Sequence, residues 1–222
     1  MNNFTISEIK EIEKKFGGYQ YLLTFRYANL CVKADPMALL PVTVTIGSSK
    51  LNIEDVAEVV EMGEYHLGIM PKNQDMLHDI ERGILTSHPE FKLSQETTDE
   101  DDPNSAFLLC EMPDVDKERH DLLVEATKNL HDECKARMDA VLLEEKNGFA
   151  ELMADDPESL KEAADQLNEK HSEALDNIME LRDNKLEEIE DAYEKYLSEH
   201  PETGDSSADS DIDVTHSINI WQ

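Results

Sequence analysis

The sequence predicts an α+β protein, a three-helix bundle of the first helix plus two long C-terminal helices, interrupted by a small β/α/β domain. Three observations lead there. From Asp116 to near residue 200 the apolar residues recur with a period of 3.6. Residues 5–30 carry the same period, and neither C-terminal helix has an apolar face wide enough to be buried alone. Between these stretches the pattern changes to β-branched runs around one amphipathic helix.

The first helix opens on a capping-box pattern, Thr5-Ile6-Ser7-Glu8, and continues through Ile9, Ile12, Phe16, Tyr19, Leu23, Tyr27 and Leu30. Gly17-Gly18 weakens its middle, so a kink or break is expected there, and Asp35-Pro36 ends it. Residues 42–46 are β-branched throughout and form a strand, and Gly47-Ser48-Ser49 turns the chain. A less regular strand region lies around Val56, Val59 and Val60, and Gly63 leads into a further strand over 65–70. There Leu67 and Ile69 point one way and His66, Gly68 and Met70 the other. Pro71 stops that strand because it lacks an amide hydrogen. Asn73 then caps a helix whose apolar positions are Met76, Leu77, Ile80, Ile84 and Leu85. Gly83 interrupts this helix, which points to a close contact. After Phe91-Lys92-Leu93, the polar run from Ser94 to Asn104 is expected to be a solvated loop, and residues 106–110 return as a strand.

Asp116 caps a helix carrying Leu123, Ala126, Leu130, Cys134, Met138, Val141 and Leu142, weakened by Asn147-Gly148. Asp155-Asp156-Pro157 opens the last helix, with proline in the first turn. Its stripe is Leu160, Ala164, Leu167, His171, Ala174, Ile178 and Leu181, then Leu186, Ile189, Tyr193 and Leu197. A helix of about 40 residues is a rod of about 60 Å, and two such helices joined by a short loop pack antiparallel. The expected organisation is residues 1–34 and 116–199 as the bundle, 35–115 as the inserted domain, and 200–222 as a disordered acidic tail. Ala34, Pro36, Pro113 and Asp116 mark the two hinges.

Charge narrows the function classes. The chain carries 51 acidic and 20 basic residues, a net −31. Residues 1–115 hold 20 acids and 9 bases, 116–200 hold 26 and 11, and 201–222 hold five and none, so the excess is spread along the chain. A field of this sign repels phosphate backbones, which excludes DNA as a partner and confines any RNA contact to a small local basic patch. No apolar run is long enough for a membrane span, and the N-terminus has no signal-peptide h-region. Cys31, Cys110 and Cys134 are scattered, which fits reduced thiols in the cytoplasm.

No catalytic motif is present: there is no P-loop, G-x-G-x-x-G, H-E-x-x-H or G-x-S-x-G pattern. His131 with Cys134 supplies two ligands, too few for zinc. Asp99 to Asp102 lacks the alternation and central glycine of an EF-hand loop. The expectation is a non-enzymatic protein with no cofactor and no metal, acting by binding.

The pattern Gly47-Ser48, Leu51, Val59 or Val60, Leu67-Gly68-Ile69 with Pro71, then Met76-Leu77, Ile80-Glu81 and Ile84-Leu85 resembles ribosome recycling factor. The resemblance covers most of residues 20–198. It implies an L-shaped molecule whose bundle binds rRNA of the large subunit. An elongation factor would drive the hinged second domain, and the ribosome would split. The family's arginine stretch R-x-x-x-R-x-x-R-R-D falls on residues 134–145. Lys135 takes the first arginine position, while Asp139, Leu142 and Leu143 replace the others, with Arg137 as a compensating cation. The hinge motif R-T-G-R-A-S-P falls on residues 30–36, where Lys33, Ala34 and Pro36 resemble it. Aspartate in place of arginine at a phosphate contact changes the local charge by two units and repels RNA. Two readings follow. One is a diverged recycling-factor-like protein in translation, a partner of the large subunit or of a translation factor, with Lys33, Lys128, Lys135 and Arg137 as its RNA contacts. The other is an acidic helical adaptor that binds a basic protein partner and no RNA.

Overall fold

The computed structural model describes residues 3–99, 101 and 105–201. The expected acidic tail therefore lies almost wholly outside the described residues, as do parts of the acidic run around Asp99.

Helix α1 (Asn3–Ala28) packs with α4 (Lys117–Leu152) and α5 (Pro157–Glu199). Cross-helix pairs fix the directions. His120 on α4 meets Glu190 at 2.9 Å and Asp139 meets His171 at 2.8 Å, so α4 and α5 run antiparallel. Lys15 pairs with Glu145 and Arg26 with Glu133, both at 2.6 Å, so α1 is antiparallel to α4. Gln20 donates to the Ala174 carbonyl and Lys170 pairs with Glu13, so α1 is parallel to α5. One apolar cluster joins all three helices: Ile12, Phe16 and Leu23 meet Met138 and Phe149 from α4 and Leu167 and Ile178 from α5. The third helix required by two narrow apolar stripes is thus α1.

Gly17-Gly18 does not break α1, which is helical through both. Phe16 is buried on one side of the pair and Leu23 a turn and a half beyond, and their burial outweighs about 1 kcal/mol of lost propensity per glycine. Both glycines are exposed, and an added Cβ would meet nothing within 4 Å. Gly17→Ala with Gly18→Ala is therefore expected to stabilise the protein by about 1–2 kcal/mol in a denaturant titration. Asn147-Gly148 is likewise continuous helix, and α1 ends at Ala28 rather than at Asp35.

Residues between the first helix and α4 form two antiparallel sheets and a helix. Strands β1 (Thr43–Ile46) and β2 (Ser49–Asn52) make a hairpin closed by Gly47-Ser48, with Gly47 at φ +59° as the first central residue of a two-residue turn requires. The short helix α2 (Ile53–Val56) starts where the Asn52 N–H donates to Asp55. It occupies part of the region read as strand. Strands β3 (Ala57–Gly63), β4 (His66–Pro71), β5 (Lys92–Thr97) and β6 (Ala106–Glu111) form the larger sheet, in the order β3-β4-β6-β5. The polar run after Leu93 is thus strand as far as Thr97. Among the described residues it is an edge strand, paired with β6 alone and mostly exposed, so its side chains carry little apolar signal.

Helix α3 (Leu77–Ser87) follows a single 3₁₀ turn at Gln74–Met76. It covers the sheets through Ile80 and Ile84. A Cβ on Gly83 would lie 3.0 Å from the Thr43 carbonyl oxygen and 3.3 Å from the Val44 Cα, so the close contact expected there is helix against strand backbone. Among the described residues no helix is long and apolar enough to cross a membrane.

Candidate functional site

Two places carry the residues singled out in the sequence: the α4 face of the bundle and the junction between bundle and sheets. On α4, Leu123, Thr127, His131, Cys134 and Met138 are buried and define the inward stripe. At 100° per residue Lys128 and Lys135 share one line along the rod, seven residues apart, and Arg137 falls on the opposite flank of that stripe. Lys128 and Lys135 are exposed, and among the described residues neither makes an ion pair or a hydrogen bond.

Arg137 is not free. It donates to Glu133 at 2.7 Å, and the other carboxylate oxygen of Glu133 accepts from Arg26 on α1 at 2.6 Å. The two guanidinium groups, Arg26 first, hold the Glu133 carboxyl below the usual carboxylate range. This Arg26–Glu133–Arg137 bridge ties α1 to α4 over a groove lined by Tyr19, Leu22, Leu23, Leu130 and Cys134. Arg26 and Glu133 escape a reading of the sequence because they are 107 residues apart. Asp139, which stands where the family pattern has arginine, faces α5 instead. Its Oδ1 lies 2.8 Å from His171 Nε2, an ion-pair distance though off the line of a good hydrogen bond. The aspartate thus serves as an inter-helix contact.

At the junction the chain crosses twice, and both crossings are fastened to the β3–β4 turn. The Ala34 N–H donates to the Glu64 carbonyl and the Met112 N–H to the Tyr65 carbonyl, each at 2.8 Å. Lys33 lies on the first crossing, 2.8 Å from Glu64 and 3.9 Å from Asp191 of α5. The hydrogen bond to Glu64 raises its pKa, so Lys33 is charged and half-buried in a contact between the two parts of the molecule. Pro36 opens a 3₁₀ turn that Asp35 caps through the Met37 N–H, and Asp116 caps α4 by accepting from the Arg119 N–H at 2.8 Å. Pro113 sits between these latches and lines a crevice with Val32, Tyr65, Val115 and Tyr196. Lys195 of α5 lies 4.7 Å above the Tyr65 ring, a cation–π contact between bundle and sheet.

Arg119 is a junction residue that sequence reasoning passed over. Its Nη2 donates to the Leu30 and Cys31 carbonyls at 3.2 Å each, closing the orphan carbonyls that follow α1. Burial lowers its pKa. The available signal was its place one turn into α4, beside the second hinge.

These features define a class: a two-domain factor in which a three-helix rod carries a small sheet domain inserted after its first helix. The family model described as ribosome recycling factor matches residues 27–196, and the chain belongs to that family. Its fold is the L-shaped one that the resemblance implied. A solution structure of the ribosome recycling factor shares 20% identity at a TM-score of 0.64, covering 86% of this chain and 100% of that one. Models of the T. thermophilus ribosome recycling factor and the E. coli elongation factor G on the E. coli post-termination complex give 19% identity and a TM-score of 0.53, covering 82% of this chain and 98% of that one. No curated protein matches the chain significantly. Membership assigns the protein a recycling-factor-like role in translation.

Proposed function

We propose that the protein docks on the large ribosomal subunit after termination and takes part in ribosome disassembly, the rod of residues 1–34 and 116–199 making the contact and residues 35–115 moving against it. The observation that carries this reading is the family match over residues 27–196, which spans both crossings and all of the inserted sheet domain. An elongation factor beside a recycling factor on a post-termination complex is what the second structural relative describes, and we extend that partnership to this chain.

The contact surface differs from a dense arginine patch. Lys128 and Lys135 present their charges freely along one line of the rod, whereas Lys33, Arg26 and Arg137 are neutralised within the protein. RNA docking through so few cations is weak and strongly salt-dependent. Co-sedimentation with large subunits at low salt is therefore expected to fall steeply as salt rises. Lys128→Glu with Lys135→Glu should weaken it at least tenfold and flatten the salt dependence by about two contacts. Pelleting that neither salt nor the double reversal changes would remove this reading.

A second reading has its own observation. With Arg26 and Arg137 sequestered by Glu133, the exposed surface is dominated by acids, which suits a basic protein partner. Capture of a defined ribosomal protein that persists after nuclease treatment, with no pelleting of protein-free rRNA, would favour that adaptor over RNA docking.

A further inference from the structure

The geometry points to a binding site for a thiophilic divalent cation, of the zinc type, formed by Cys31, His88 and Glu90 where the bundle meets the sheet domain. The three come from different parts of the chain. Cys31 follows α1 on the first crossing, and His88 and Glu90 lie in the turn between α3 and β5. One ligand atom from each, the thiol Sγ, a ring nitrogen and a carboxylate oxygen, lies within 4.8 Å of the others. In a tetrahedral zinc site such atoms stand about 3.3–3.6 Å apart, so closing the set takes movements of about 1 Å. Glu90 is exposed and supplies that freedom.

The surroundings hold two of the three ligands in place. Cys31 is buried and takes φ +54°, the only positive φ of a non-glycine among the described residues. Arg119 bonds its carbonyl and fixes the strained backbone that presents the thiol. The His88 ring stacks face to face on Phe91 at 4.5 Å, and its Nδ1 lies 3.3 Å from Glu90. The donor set, one sulfur, one imidazole and one carboxylate, suits zinc or cobalt and not calcium or magnesium. On binding, the cation replaces the thiol proton, which leaves to solvent, and the thiolate and carboxylate balance its two charges. Three protein ligands leave a fourth position for water. Cys31 packs into the core of the sheet domain while Arg119 of α4 holds its carbonyl, so the cation would pin the first crossing to the turn between α3 and β5.

The test titrates the full chain with Co²⁺ and then Zn²⁺. One equivalent of Co²⁺ is expected to produce a thiolate charge-transfer band that Zn²⁺ abolishes. Cys31→Ser and His88→Asn should each remove the band or weaken binding at least about tenfold, while Cys134→Ser keeps it. If Cys31→Ser does not fold, Cys31→Gly, which suits the positive φ, takes its place. No band in the parent protein, or a band that survives loss of the Cys31 thiol, overturns the site.

Discussion

Replacing Phe16 with alanine is expected to destabilise the protein by about 3–5 kcal/mol and lower its Tm by about 10 °C. Phe16 is about 1% exposed and sits where all three helices meet. It also packs edge-on against His171 of α5, with ring centroids 5.7 Å apart. Truncation removes the apolar ring and leaves a cavity that the backbone of three long helices cannot close. It also removes the ring packed against the buried His171, loosening the contact with Asp139 that replaces the family's arginine. Thermal unfolding followed by far-UV circular dichroism measures this directly. A shift of less than two or three degrees would mean that α1 is not part of the core.

The second large effect is alkaline. Burial pushes the thiols of Cys31 and Cys110 each up to about 12, from an ordinary value of 9.0, and burial likewise raises the Tyr27 hydroxyl. For an acid raised in the folded state, the stability it supplies is complete below its unfolded pKa and is lost as pH rises through the folded value. The window therefore runs from about pH 9 to about 12. At pH 11 each thiol favours the unfolded chain by roughly 2–3 kcal/mol, so the pair alone approaches the net stability of a typical domain. Tyr27 adds to this above pH 10, since its hydroxyl donates to the Thr127 carbonyl at 3.2 Å and must stay protonated to do so. Denaturant titrations between pH 8 and 11 are expected to show a steepening fall in stability. Cys110→Ala, tested at both ends of that range, should flatten the slope by about 1.4 kcal/mol per pH unit. A stability that is level from pH 8 to 11 would contradict the burial of these groups.

Much of the fold was legible because its signals are local. The 3.6 period of α4 and α5 and the cap at Asp116 are properties of short windows and stand as read, while the strand read over 65–70 runs from His66 to Pro71, with Pro71 paired to Ala57 at its end rather than excluded from it. Gly83 was legible for the same reason: a glycine inside an amphipathic helix needs a neighbour too near for a side chain. What escaped depends on partners distant in the sequence. The Gly17-Gly18 weakness is overridden by packing onto two other helices, and β5 extends into polar sequence because β6 supplies its hydrogen bonds.

The site divides in the same way. Lys128 and Lys135 share a helical line that spacing alone gives. That Arg137 is spent on Glu133, and Lys33 on Glu64, requires the third dimension. Asp139 is the clearest case. In the sequence it is a lost arginine, and in the structure it is a contact to His171 that only the α4–α5 register produces.

Subunit splitting, followed by light scattering on post-termination ribosomes with an elongation factor present, tests the central claim most directly. Added protein is expected to raise the rate of splitting, the effect is expected to fade as salt is raised, and Lys128→Glu with Lys135→Glu is expected to abolish it. Splitting that stays at the background rate at every protein concentration, even in low salt, would contradict that claim.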